Sequence, residues 1–331
     1  MNNNFYKKNF LNFSLFNKED IEFLIKFSSH LKKIRKEKKE KKYLKNKNII
    51  LIFEKESTRT RCAFEVAAFE QGANTTYIGP KDSHIGYKES FKDTAKFLSK
   101  IYHAIQYRGH EHEKIEELAK YSDITVWNGL TNKFHPTQII ADLLTIKESL
   151  PEKKIENISC AYIGDINNNI CNSILEISKI TGMKINLISP KEYWFQYKRK
   201  KNNNVLITEN IEKGVKDVDF IYTDIWLSMG ETETSWKEKI KFLKNYQVNK
   251  NVLKLSKNKE VKFLHCLPSL HDKNTIIGKK ILNEYKILGN GVEVTNEVFE
   301  SKNSLVFEQA ENRLHTIKAM MILTLIKNVQ F

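Results

Sequence analysis

The sequence predicts an α/β protein of two doubly wound domains, each with a central, mainly parallel sheet, linked by helices. Three observations carry this expectation. Short unbroken apolar runs such as Ile49-Ile50-Leu51-Ile52-Phe53 read as strands covered on both faces. These runs alternate with stretches of helical apolar spacing, which calls for parallel strands joined by crossover helices. The alternation runs through the chain twice, interrupted by the polar Pro151-Glu152-Lys153-Lys154. A length of 331 residues, 40% of them hydrophobic, suits two domains with sizeable cores. The expected division is 1–150, with the C-terminal helix 306–331 packing back on it, and 151–305.

Taken in order, Ile21, Leu24, Ile25, Leu31 and Ile34 have the spacing of a helix face. The Lys36–Lys42 charge run that follows is expected to be a solvated helix end and not an anion patch. After the 49–53 strand, a helix is expected from Arg59 to Gln71, closed by Gly72. Strands are expected at Thr75–Ile78, Ala104–Tyr107 and Ile124–Trp127, with helices at Ser90–Ile101, Glu113–Tyr121 and Thr137–Ser149. In the second half the strands are Ser159–Ile163, Lys184–Ile188, Val205–Ile207, Phe220–Thr223 and Val261–Leu264. Helices are expected at Cys171–Thr181, Glu192–Lys200, Ser235–Lys244 and Thr275–Tyr285, and a long last one from Val306 to Ile326.

The formal net charge is +15. Its lysines are spread along the chain and no nucleic-acid module is recognisable, so nucleic acid is not an expected partner. No apolar stretch reaches the length of a membrane span, and the N-terminus lacks the charged and apolar regions of a secretory signal. Cys62, Cys160, Cys171 and Cys266 are scattered without metal-type spacing, which fits a reducing cytoplasm and no metal.

The strongest chemical signal is Phe53-Glu54-Lys55-Glu56-Ser57-Thr58-Arg59-Thr60-Arg61, where a buried strand gives way to a helix. A helix N-terminus offers free N–H groups and a partial positive charge. Ser57, Thr58 and Thr60 add hydroxyl donors, and Arg59 and Arg61 add planar forks that suit phosphate oxygens. The competing reading makes Ser57 or Thr58 a plain N-cap and Arg59 and Arg61 surface charges. No Walker or Rossmann glycine pattern is present. Arg108 in Tyr107-Arg108-Gly109 and His135 in His135-Pro136-Thr137-Gln138 stand at further strand–helix junctions. In the second half, Gly164-Asp165-Ile166-Asn167-Asn168-Asn169 is either a carboxamide site or an Asn-rich turn. Asp224 leads into Trp226-Leu227-Ser228-Met229-Gly230, a carboxylate suited to an ammonium ligand. Cys266, in His265-Cys266-Leu267-Pro268, is compelling neither as a nucleophile nor as a zinc ligand.

Together these segments resemble the aspartate/ornithine carbamoyltransferase family over nearly the whole chain, from about Phe10 to Leu325. Ser57-Thr58-Arg59-Thr60-Arg61 resembles the carbamoyl-phosphate motif common to the family; Ser228-Met229-Gly230 and His265-Cys266-Leu267-Pro268 look like its ornithine branch. The resemblance implies transfer of the carbamoyl group from carbamoyl phosphate to the δ-amine of L-ornithine, giving L-citrulline and phosphate without cofactor or metal. The alternative is a transcarbamoylase for putrescine, an acylated ornithine or aspartate. The resemblance places Ser57, Thr58, Arg59, Thr60, His84, Arg108, His135, Gln138, Cys266, Leu267 and Arg313 on carbamoyl phosphate. Arg59, Arg108, His135 and Cys266 are the implied catalytic residues, and Asn169, Asp224, Ser228 and Met229 the ornithine-binding ones. It further implies a cytoplasmic homotrimer, or a multiple of it, in arginine metabolism, with the Gly79–Ser90 loop reaching a neighbour's phosphate pocket. There Ser83-His84-Ile85-Gly86 departs from the Ser-Gln-Ile-Gly common among relatives; both side chains can donate a hydrogen bond, so phosphate binding is expected to survive with a different pH sensitivity.

Overall fold

The computed structural model describes residues 3–195, 203–226 and 233–330. The chain divides into two compact units, Met1–Glu148 with Ala310–Phe331, and Ser149–Gln309.

The first unit holds the parallel strands β1 (Asn48–Phe53), β2 (Asn74–Ile78), β3 (Ala104–Arg108) and β4 (Thr125–Leu130), in the order β2-β1-β3-β4. Between and around them run α1 (Lys18–Lys36), α2 (Thr58–Glu70), α3 (Phe91–Ile101), α4 (His112–Tyr121) and α5 (Pro136–Ser149). Every residue of β1 from Ile49 to Phe53 is buried, because helices cover both faces of the sheet. On one face Ile50, Ile52, Ile105, Tyr107 and Val126 pack with residues of α3 and α4. The α3 contribution is Phe91, Ala95 and Leu98, one helical stripe. Each such large aliphatic or aromatic side chain stabilises by roughly 1.5–3 kcal/mol when fully buried. On the other face Phe64 of α2 lies 6.1 Å from the Trp127 ring of β4. Helix α5 is buried at every residue from Pro136 to Ile146; among its buried polar side chains Gln138 donates to Asp142 and Thr145 to the Ala141 oxygen, both at 2.8 Å.

Local signals set the element ends. Asn17 and Asp20 form a reciprocal capping box that starts α1 ahead of its apolar stripe. Gly72, at φ +80°, makes the left-handed turn out of α2 that a side chain would strain. Strand β4 runs on to Leu130, past the apolar residues that announced it, across a register shift at Tyr107/Arg108. The lysines of the 36–42 run are exposed, but its Glu40 is drawn in to the buried Lys318, 2.5 Å away.

The second unit holds β5 (Ser159–Ile163), β6 (Lys184–Ile188), β7 (Val205–Thr208), β8 (Phe220–Thr223) and β9 (Lys262–His265), all parallel, in the order β7-β6-β5-β8-β9. Its helices are α6 (Asn169–Thr181), α7 (Ile211–Val215), α8 (Glu233–Leu243), α9 (Lys250–Leu255), α10 (Ile276–Glu284) and α11 (Asn296–Phe299). Its core includes Ala161, Ile163, Ile188, Ile221 and Phe263. Where a helix over Glu192–Lys200 was expected, the structure has a single 3-10 turn at Lys191–Tyr193; residues 196–202 lie outside the described part. The last helix, α12 (Val306–Leu325), starts in the second unit and continues into the first.

In both sheets the strand order reverses once. The chain steps from β1 outward to β2, then returns to β3 on the other side; it steps from β5 to β6 and β7, then returns to β8. Successive connections then leave on opposite faces and open a crevice beyond the strand ends at β1/β3 and at β5/β8.

Candidate active site

At the first reversal, β1 ends at Phe53 and α2 begins at Thr58, with Ser57 as its N-cap accepting from the Thr60 N–H. Thr60 is the pivot of the site. Its fully buried Oγ1 accepts from Arg108 Nη1 at the end of β3 (3.3 Å) and from Arg313 Nη2 of α12 (2.9 Å). A single hydroxyl thus draws two guanidinium groups together. His135, 4% exposed, stands one residue before α5 in the same cationic surroundings. Burial, and then the charges of Arg313 and Arg108, push its pKa well below the ordinary value, so its imidazole is neutral at pH 7. The cluster therefore presents two fixed cations and a neutral hydrogen-bonding ring, which suits an anionic ligand with a carbonyl oxygen.

Strand geometry enforces the position of Arg108. An added Cβ on the next residue, Gly109, would lie 2.1 Å from Tyr107 Oη and 2.6 Å from Glu54 Oε2. Only glycine lets the chain turn there with Tyr107 buried beneath it. Arg59 is half-buried and Thr58 exposed at the helix start. Gln138 lies one turn beyond His135, with its Nε2 donating to Asp142 (2.8 Å). Arg61 takes its bland role: it stacks over Tyr77 at 3.7 Å and pairs with Glu65 at 3.1 Å. His84 stands in the exposed loop after β2 and takes no part in the hydrogen bonds around Thr60.

At the second reversal, Asn168 caps α6 by accepting from the Cys171 N–H (2.8 Å), which places Asn169 as the first helical residue. Asp224 follows β8; its Oδ1 accepts from the Ile225 N–H (2.8 Å) and from Cys266 Sγ (2.9 Å). The thiol donates to the carboxylate, so Cys266 is a wall of the site in this arrangement and not a free thiolate. Burial raises the Asp224 pKa, although His265 and the Cys266 bond oppose the rise. Leu267 adjoins Cys266 and is half-buried. Ser228 and Met229 lie outside the described residues.

Behind Cys266 the motif residue His265 meets a partner that the sequence motifs do not announce, Glu293. His265 and Glu293 are fully buried, 3.2 Å apart, and Glu293 Oε1 also accepts from Ser269 Oγ and the Leu270 N–H, both at 2.7 Å. Burial opposes charge on His265, but Glu293, joined by Asp224, outweighs it and raises the pKa. Asp224, His265 and Cys266 hold their ligand-type atoms within 4.8 Å of one another. Both ring nitrogens of His265 are already engaged, however, by Glu293 and by the Cys266 carbonyl (2.5 Å), so the trio reads as a hydrogen-bonded network. The one signal for Glu293 in the sequence is an acid set between two apolar residues, Val292 and Val294, in a stretch that must be buried.

Comparison with known proteins agrees in both halves. Residues 8–148 match the family model described as aspartate/ornithine carbamoyltransferase, carbamoyl-P binding domain. Residues 156–324 match that of the Asp/Orn binding domain. The chain is 57% identical to the ornithine carbamoyltransferase of Buchnera aphidicola subsp. Baizongia pistaciae, covering 99% of each, and 52% identical to that of Blochmanniella floridana, covering 99% of this chain and 96% of the relative. Among solved structures it is similar to the ornithine carbamoyltransferase of Pyrococcus furiosus, with TM-score 0.84, 31% identity, and 97% and 98% of the two chains covered. It is likewise similar to the anabolic enzyme of Campylobacter jejuni, with TM-score 0.79, 35% identity, and 95% and 97% covered. A match that runs through both domains, with cationic and acidic groups at the two sheet reversals, makes this chain a member of the aspartate/ornithine carbamoyltransferase family.

Proposed function

We propose that the chain transfers the carbamoyl group of carbamoyl phosphate to the δ-amine of L-ornithine, giving L-citrulline and phosphate. The observation that carries this reading is the contrast between the two strand-end sites: Arg108 and Arg313 converge on Thr60 in one, and a carboxylate, Asp224, is held by Cys266 in the other. The first suits an acyl phosphate and the second an ammonium group.

Ser57, Thr58, Arg59 and Thr60 would hold the phosphate, with His84 of a neighbouring subunit in a homotrimer. Arg108, His135, Gln138, Cys266, Leu267 and Arg313 would hold the carbamoyl group, and Asn169, Asp224, Ser228 and Met229 the ornithine. The neutral δ-amine attacks the carbonyl carbon and a C–N bond forms. Negative charge grows on the carbonyl oxygen, where Arg108, His135 and Thr60 donate. The C–O bond to phosphate then breaks; phosphate departs with the electron pair, stabilised by Arg59 and the start of α2, and takes up the proton that the nitrogen sheds. Because carbamoyl phosphate carries its own leaving group, the reaction calls on positioning and electrostatics and on no cofactor. This chemistry belongs to arginine metabolism, and the chain's scattered cysteines suit a reducing cytoplasm.

The test is citrulline formation from carbamoyl phosphate with ornithine, run against aspartate, putrescine and an acetylated ornithine. Ornithine is expected to be preferred by orders of magnitude, since the α-ammonium needs the Asp224 carboxylate. Equal or better turnover of another amine would replace ornithine as the substrate.

A further inference from the structure

We infer that the ion pair between Lys239 and Asp165 positions the amino-acid-substrate site of the second unit; the inference rests on the functional reading above. Asp165 leaves the end of β5 beside Gly164, and its side chain is 8% exposed. One carboxylate oxygen accepts from the Asn167 N–H (2.8 Å), and its main-chain oxygen accepts from Asn168 Nδ2 (3.0 Å). The same Nδ2 donates to Tyr162 Oη (2.7 Å), while Asn168 Oδ1 caps α6. The turn that delivers Asn169 is thus tied to Asp165 at every step.

The other carboxylate oxygen meets Lys239 Nζ of α8 at 3.2 Å, and the lysine side chain is only 20% exposed. Helix α8 is not a remote support. Its Ile240 and Leu243 pack with Trp226, two residues beyond Asp224. Trp226 in turn presses on Gly164, where an added Cβ would lie 2.7 Å from Trp226 Nε1. Strands β5 and β8 are neighbours in register, Tyr162 beside Tyr222, and Thr223 Oγ1 donates to the Ile163 oxygen (2.7 Å). Lys239 therefore closes a ring: from α8 through Trp226 to the Asp224 tip, and from α8 through Asp165 to the Asn169 turn.

Stability alone does not explain these two charges. A buried ion pair is often no better for stability than well-packed apolar residues. Removing one partner is different, because it leaves an almost buried carboxylate without its cation, and the turn must open toward water to solvate it. Such opening would displace Asn169 relative to Asp224. It would leave Thr60, Arg108 and Arg313 of the first unit as they are.

Steady-state kinetics of full-length Lys239→Met, with each substrate varied in turn, test the inference. The KM for ornithine is expected to rise by about tenfold or more while the KM for carbamoyl phosphate stays within about twofold. Lys239→Arg, which keeps the charge and its reach, should restore ornithine binding to near the wild-type value. A melting point lowered without that split, or no restoration by arginine, would overturn the assignment and leave the pair purely structural. Should Lys239→Met fail to fold, Asp165→Asn reads the same split, since the amide oxygen still accepts from Asn167 while the charge is gone; an unsplit result there overturns it equally. Citrulline formation by the wild-type chain is the separate control on the functional reading.

Discussion

Replacing Thr60 by valine keeps the shape of a fully buried side chain and deletes the oxygen on which two guanidinium groups converge. Hydrogen bonds to charged groups contribute about 1.5–3 kcal/mol each. The 2.9 Å bond from Arg313 belongs in the middle of that range and the 3.3 Å bond from Arg108 at or below its lower end. Together they come to about 2–4 kcal/mol, and the repulsion between the two cations acts to separate them once the acceptor is gone. If Arg108 and Arg313 stabilise charge in the transition state, the loss appears as a fall in kcat/KM of roughly 30- to 1000-fold. Thr60→Ser is the control: it keeps the hydroxyl, drops a methyl, and should stay within about tenfold of wild type. Steady-state kinetics with carbamoyl phosphate as the varied substrate compare the two. A valine variant as active as the serine variant would refute the view that this oxygen organises the site.

Asp224→Asn should raise the KM for ornithine by at least about tenfold with little change for carbamoyl phosphate, because it removes the negative charge that an ammonium group needs. Since burial raises the Asp224 pKa, wild-type ornithine binding should weaken as pH falls through a range above that of an ordinary carboxylate, and the asparagine variant should lack this acid limb. Gly109→Ala forces a methyl against Tyr107 Oη and Glu54 Oε2, so it should destabilise the first unit by about 1–3 kcal/mol and displace Arg108, which thermal melting and kcat/KM together would register. His315 is buried and its pKa falls to about 4 through burial and the charge of Lys318, against the pull of Glu311. The unfolded chain binds a proton there below about pH 6.5 that the folded chain refuses. The stability is therefore present above that pH and lost as pH falls toward 4, by up to about 3 kcal/mol. Denaturant melts of wild type and His315→Gln across that window should converge as the pH drops.

The two sheets were legible because a parallel strand covered on both faces has to be an unbroken apolar run, and Ile49–Phe53 and Phe220–Tyr222 are such runs. Helices α7, α9 and α11, of 5, 6 and 4 residues, are too short to show a period, so the sequence does not announce them. The start of α1 lies in a polar capping box ahead of the apolar stripe, which no periodicity reports. Site residues divide in the same way. Ser57, Thr60, Arg108, His135 and Asp224 stand at or just beyond the end of a strand, or at the start of a helix, and position alone singles them out. Arg313 does not: it sits inside a long helix, 253 residues from the threonine it bonds, and only the family resemblance pointed to it.

The electrostatics of the two sites bear on how the reaction keeps its protons in order. An imidazole beside an acyl phosphate would be a poor neighbour if it were charged, because a third cation would hold the phosphate in the ground state as strongly as in the transition state. Burial, and then Arg313 and Arg108, deny His135 its proton, so the ring offers one N–H donor and no net charge. In the proposed reaction its interaction with the carbonyl oxygen would strengthen as negative charge grows there, the differential binding that accelerates a chemical step. The opposite holds at the second site. There Glu293 and Asp224 outweigh burial and raise the pKa of His265, so a second imidazole in the same chain favours its proton, next to a carboxylate suited to an ammonium group. The same side chain thus takes two protonation preferences, set by burial beside two guanidinium groups in one unit and by two carboxylates in the other.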